Sequence, residues 1–226
     1  MIRFVCGAAI VALAACSGAF GERAREDFHQ ALDVSAGATV HVDNIAGSVK
    51  IAAWSKPIVD VRATKYGNDA PELRSVTIEV RSAGKDVFVK TNYQGLHHGT
   101  VRYRIAVPAD ASLDISNVAG TVDLAGTGGD VTVETQAGAI TADVGRVAGN
   151  RAIDLRATTG AVELSIAPNS DASIAASSAV GDITSRIPGV AASRENLIGA
   201  RASGMIGTGS GRIRVGTTTG AITLQF

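Results

Sequence analysis

Five times in its second half the chain repeats one phrase: an alternating run, a glycine, and a second short alternating run. Leu113 to Leu124 carries Gly120, Val131 to Ala142 carries Gly138, and Ile153 to Leu164 carries Gly160. Ile174 to Ser185 carries Gly181, and Ile213 to Leu224 carries Gly220. In every copy an apolar residue stands seven places before the glycine and another two places after it. A related copy, Asn44 to Val49 around Gly47, lies near the start. The first four of these five glycines recur at a period of about twenty residues, the length of one β-solenoid rung. Such a unit points only two or three side chains inward, too few for a core of its own. Stacked about 4.8 Å apart, the units pair their backbones and align Val, Ile and Leu into an apolar column. Glycine at each corner allows the positive φ of a sharp turn.

Composition agrees with thin, repetitive packing. Of 226 residues 46% are hydrophobic but only 4% aromatic, with 26 glycines and 5 prolines, so Val, Ile, Leu and Ala carry the core. From Ala38 onward the period-two alternation of half-buried strands dominates, and only Ala191 to Ile198 suggests a helix. The fold class is all-β. Val133, Ile140, Leu155, Val162 and Leu164 are expected inward, with Val122, Ile183 and Ile222 stacked after their glycines. Thr132, Glu134, Thr141, Asp143, Asp154, Arg156, Glu163, Arg212, Arg214 and Thr223 are expected outward. Over 110–226 the regular glycines favour a solenoid over a sandwich of hairpins, which would scatter them across two facing sheets. Over 34–109 the strands are longer, with polar turns at Gly67–Pro71 and Ser82–Asp86. This region reads as hairpin-like β structure capping the first edge of the column.

The N-terminus reads as an address. Arg3 supplies a positive end, Phe4 to Ala12 a short apolar stretch, and Leu13-Ala14-Ala15-Cys16 a lipobox. The stretch is short for a transmembrane helix and fits a lipoprotein signal peptide over 1–15. Cys16 then begins the mature chain and carries the lipid; the competing reading is a plain secretory signal cut near Ala19. The other cysteine, Cys6, falls inside the removed segment, so no disulfide is expected. Ser17 after the anchor favours the outer membrane in a cell that has two. Residues 16–33 read as a charged tether, and 34–226 as one continuous domain.

Three stretches carry a family likeness: Val42 to Trp54 around Gly47; Val101 to Leu113 with its Val107-Pro108 entry, leading to Gly120; and Ile206 to Ile222 around Gly220. Together they resemble the bacterial "putative adhesin" family, exported β-helix-like proteins that form a domain of unknown function. The resemblance spans 34–226. It implies a single-stranded right-handed β-helix-like solenoid in the cell envelope, and it brings no catalytic residues with it.

The remaining motifs read mostly as structure. Lys plus Arg and Asp plus Glu number 21 each, which argues against a basic nucleic-acid binder. His97 and His98 are adjacent and would point to opposite faces of a strand, and no zinc-ligand spacing occurs, so no metal or cofactor is expected. The glycines of Gly204 to Gly211 are followed by an alternating strand where a phosphate loop needs a helix. Asp114, Asp123, Asp143, Asp154 and Glu163, one per strand, are candidates for acid–base chemistry if they align across rungs, and otherwise a solvated face. Trp54, the one tryptophan, reads as a cover for the column's end or as a sugar platform. The expectation is a non-enzymatic, lipid-anchored envelope protein with a structural or adhesive surface. Its partners would be the membrane, through the lipid, and a glycan or envelope protein. A polysaccharide-active hydrolase or lyase is the alternative, and an accessory envelope-stress signalling lipoprotein the third reading.

Overall fold

The computed structural model describes residues 24–95, 99–194 and 198–226. The signal segment, Cys16, His97 and His98 lie outside the described residues. In chain order the first part comprises β1 (Ala24–Asp33), β2 (Thr39–Ala46), β3 (Val49–Trp54), β4 (Ile58–Gly67), α1 (Ala70–Ser75), β5 (Val76–Ala83), β6 (Asp86–Tyr93) and β7 (Thr100–Pro108). The repeats supply β8 (Ser112–Ala119) with β9 (Val122–Ala125), β10 (Val131–Ala137) with β11 (Ile140–Asp143), and β12 (Ala152–Thr159) with β13 (Val162–Ser165). They continue with β14 (Ala172–Val180), β15 (Ile183–Ser185), β16 (Val190–Arg194), β17 (Ala200–Ile206), β18 (Gly211–Thr219) and β19 (Ile222–Gln225).

Each repeat gives a longer strand to one sheet and, after its glycine, a shorter strand to the other. The first sheet runs β1-β4-β7-β3-β9-β11-β13-β19-β15, and the second β16-β17-β14-β18-β12-β10-β8-β2-β6-β5. Both sheets are open, and neighbouring rungs pair parallel in both. The register aligns like with like. Val49, Val122, Ile140, Val162, Ile222 and Ile183 form one column, and Ile51, Leu124, Ala142, Leu164 and Leu224 the next. From the second sheet Leu113, Val131, Ile153, Ile213 and Ile174 face them. These side chains are all buried, at most 7% exposed.

Spatial order departs from chain order at both ends. The last rung, β18/β19, lies between β12/β13 and β14/β15, so the chain's final strands are interior ones. At the other end β6/β7 lies outside β2/β3. The stretch 34–109 therefore contributes two rungs of its own to the column. It is hairpin-like only at the rim, where β4–β7 and β5–β6 pair antiparallel and β1, from the preceding segment, adds to β4 in the same sense.

Two local expectations are corrected. The segment read as tether forms β1 from Ala24 onward: Glu26, Phe28, Gln30 and Leu32 turn inward, alternating with the exposed Arg25, Asp27, His29, Ala31 and Asp33. Glu26 reaches the buried Lys65 at 2.8 Å, so what looked like solvated charge is partly an ion pair under the rim. The helix is also elsewhere. Ala191 to Arg194 belong to edge strand β16, paired antiparallel with β17, whose small outward side chains hide the strand period. The helix is α1, where Asp69 caps Glu72 N at 2.8 Å and Pro71 sits in the first turn.

Candidate functional site

The six repeat glycines stack as one corner in the order Gly47, Gly120, Gly138, Gly160, Gly220, Gly181. Their φ angles run from +118° to +154°. Gly120 N donates to Ala137 O, Gly138 N to Thr159 O and Gly220 N to Val180 O, each at 2.9 Å. A Cβ on Gly138 would collide with the carbonyl oxygen of Gly120, and the same holds from rung to rung along the stack. The corner is closer than any other residue type would allow.

Three places before these glycines runs a buried column of mostly polar residues: Asn44, Asn117, Thr135, Ala157, Thr217 and Ser178. Asn44 Nδ2 donates to Asn117 Oδ1 at 2.9 Å, and Thr91 Oγ1 to Asn44 Oδ1 at 3.1 Å. The Thr91 hydroxyl also meets Tyr103 OH at 2.6 Å, and burial pushes the Tyr103 phenol pKa above its ordinary value. Among the described residues Asn117 Nδ2 and Thr135 Oγ1 have no partner. Beside this corner lies an open shelf of about 510 Å³, lined among others by Ser116, Glu134, Gln136, Arg156, Thr158 and Thr218. Arg156 bridges Glu134 at 3.3 Å and Asp154 at 2.8 Å.

The five candidate acids divide between the sheets. Asp114 and Asp154 lie on the second sheet, separated by Thr132. Asp123 and Glu163 lie on the first, separated by Thr141, with Asp143 two residues further along β11. No single row of carboxylates crosses the rungs, because each repeat sends its two strands to opposite faces. Asp114 is held by His41 Nδ1 at 3.1 Å, and Glu163 accepts from Gln225 at 2.7 Å. Among the described residues no three potential ligands gather for a metal ion.

The glycine loop before β18 carries a carboxylate of its own chain. Asp171 Oδ1 accepts from Gly209 N at 2.6 Å and Ser210 N at 3.1 Å, while Thr208 Oγ1 donates to Oδ2 at 2.8 Å. The Ser210 amide, followed by Thr208, holds the Asp171 carboxyl below the usual carboxylate range. The place a phosphate would take is filled.

Trp54 ends β3 opposite Pro108. Its indole N–H donates to Ile58 O at 2.8 Å, and Lys56 Nζ lies 4.9 Å from the ring centroid. With Val34, Ala36, Pro57 and Pro108 it lines a cleft of about 340 Å³. Sequence reasoning missed Arg151, which is 9% exposed and clamps the loops at the far ends of the rungs. Its guanidinium donates to Gly129 O, Val144 O and Arg146 O at 2.7 Å and to Thr127 O at 2.5 Å. Burial lowers its pKa.

Among solved structures, a "putative cell adhesion protein" from Clostridium sporogenes superposes with a TM-score of 0.61 at 14% identity, covering 88% of this chain and 99% of that one. At that identity the likeness is one of fold. A "putative adhesin" from Bacteroides fragilis aligns over 88% of this chain and 97% of that one, at 9% identity and a TM-score of 0.33. No curated protein matches in sequence. The Toastrack DUF4097 family matches residues 104–225, from β7 through the last rung. The chain belongs to the Toastrack DUF4097 family.

Proposed function

We propose that this chain is a non-enzymatic, lipid-anchored protein of the cell envelope, most naturally an outer-membrane lipoprotein, whose sheet faces form a structural or adhesive surface. The observation that carries the reading is the partition of the acids: the candidate carboxylates are dispersed over two open faces, where a hydrolase or lyase needs carboxylates converging on one cleft. The adhesion name of the Clostridium sporogenes neighbour agrees with it. Right-handed winding goes with this reading, being the hand that nearly all crossovers between parallel strands of one sheet adopt. The test is a screen of the purified protein against cell-wall and surface glycans, scoring binding and cleavage together. Binding without cleavage is expected; release of reducing ends or unsaturated products would move the chain to the enzyme class. Mass spectrometry of the mature N-terminus should find a lipidated Cys16. An unmodified terminus near residue 20 would remove the anchor.

A further inference from the structure

One line of basic side chains, a histidine, two arginines and a lysine, runs across four strands on the outer face of the first sheet. In register, His29 on β1 stands opposite Arg62 on β4, Arg62 opposite Arg104 on β7, and Arg104 opposite Lys50 on β3. Like charges directly opposite on adjacent strands are destabilising, so packing does not explain them. Asp60 is committed to His29 and to Arg62 Nε at 2.9 Å. Asp123 on β9 stands opposite Lys50 and ends the row without closing an ion pair; among the described residues Arg104 and Lys50 make neither a hydrogen bond nor an ion pair. Arg102, two residues from Arg104 along β7, lies over the Tyr66 ring at 4.6 Å. The row borders a depression of about 420 Å³ lined by His29, Arg62, Arg104 and the ion pair of Arg25 with Asp27 at 2.8 Å.

The same strands continue into a different surface. Two residues beyond the row, Ala106 and Ala52 stand side by side, with Ala125 next to Ala52, making a low floor. Two residues further come Pro108 and Trp54 at the mouth of the apolar cleft. Trp54 is thus about 13 Å along β3 from Lys50 at ordinary strand rise, with its indole fixed by the bond to Ile58 O. Cations at the strand spacing, a flat floor and a fixed aromatic ring lie on one face.

We infer that the β7–β3 face is a binding site for an extended acidic polysaccharide, its carboxylates on Arg62, Arg104 and Lys50 and a sugar ring against Trp54. The inference rests on the adhesive reading above and gives it a ligand class. A carbohydrate fits better than a lipid surface because the large exposed apolar side chains, Ile45, Val180, Ile198, Met205 and Phe226, all lie off these two strands. A membrane-lying face would have gathered such residues beside its cations.

Trp54 is the one tryptophan of the chain, so its emission reports this site alone. The full chain is titrated with polygalacturonate and, as a neutral control, dextran, following emission and mobility in affinity gels. Saturable binding of the acidic polymer is expected, weakened about tenfold or more in Lys50→Ala/Arg104→Ala and by added salt, as for contacts screened at the Debye length. The double variant should melt no lower than the parent, since it removes like-charge neighbours. Affinity unchanged in the double variant would overturn this site and leave the adhesive reading standing. Equal response to dextran, response only to anionic lipid vesicles, or a response that proves to be self-association would overturn it as well. Failure of every glycan in the wider screen would instead remove the adhesive reading itself.

Discussion

Gly138 and Gly37 both have positive φ, +152° and +67°, but only Gly138 faces a neighbouring backbone at close range. Gly37→Ala should therefore cost about 1 kcal/mol, the strain of the left-handed region alone. Gly138→Ala adds a collision with the next rung and should cost about 3 kcal/mol or more, at the upper end for single substitutions. Denaturant melts of the two variants check the contrast. Arg151 is the second residue on which much rests. Arg151→Ala would leave four carbonyls without their donor and should cost about 2–4 kcal/mol, with Arg151→Lys recovering little because an ammonium cannot fork to several carbonyls. The glycines were legible because their conformation restricts the residue type. Arg151 was not, since a side chain bonding only to backbone leaves no partner pattern to read. Asp171 gives a pH test. Its folded pKa is depressed, so its contribution is complete above the unfolded value of about 3.9 and is lost as pH falls through the folded pKa. Protection of the Gly209 and Ser210 amides, taken relative to the intrinsic exchange rate at each pH, should fall over that acid range, and Asp171→Ala should show the low protection already at neutral pH.

At the scale of the element, alternation separates two kinds of site on the same rungs. Ile140 is fully buried, whereas Glu134 and Glu163 are exposed and meet only partners at the surface. Ile140→Ala should cost about 2–5 kcal/mol. Glu134→Ala and Glu163→Ala should each stay within about 0.5 kcal/mol, as exposed pairs contribute little. Equal losses would place those acids in the core. Where alternation runs with large apolar residues, as in β10 and β12, the strands are legible in the sequence. It failed where other constraints set the pattern. In β1 the inward positions include Glu26 and Gln30 because the rim buries Lys65 and the Val80 carbonyl there. In α1 six residues are too few for a helical period, and the capping Asp69 and Pro71 were its only sign. Of the candidate binding face, Trp54 was visible as an isolated aromatic. The cation row was not, because Lys50, Arg62 and Arg104 come from three separate strands whose pairing no local pattern encodes.

The order of the rungs belongs to the whole molecule. Nothing in the repeat spacing announces that β18/β19 will slot between β12/β13 and β14/β15, because every copy presents the same apolar positions and could pair with any other. The arrangement makes the last sixteen residues the centre of the C-terminal half. Ending the chain at Ser210 should abolish the cooperative melt, since it bares facing edges in both sheets and removes Ile213, Val215, Ile222 and Leu224 from the core. Deleting 24–33 takes away an edge strand paired only with β4 and should lower the melting temperature while keeping a single transition. The same placement gives the molecule a directional strength under load. A pull on the N-terminal side acts on β1, which is bordered by one strand and can be peeled bond by bond. A pull on the C-terminus acts on β19, bordered by β13 and β15, and then on β18, bordered by β12 and β14. Both neighbours must give way together, so the fold should yield first on the side of its proposed anchor and hold on the side of its last residue.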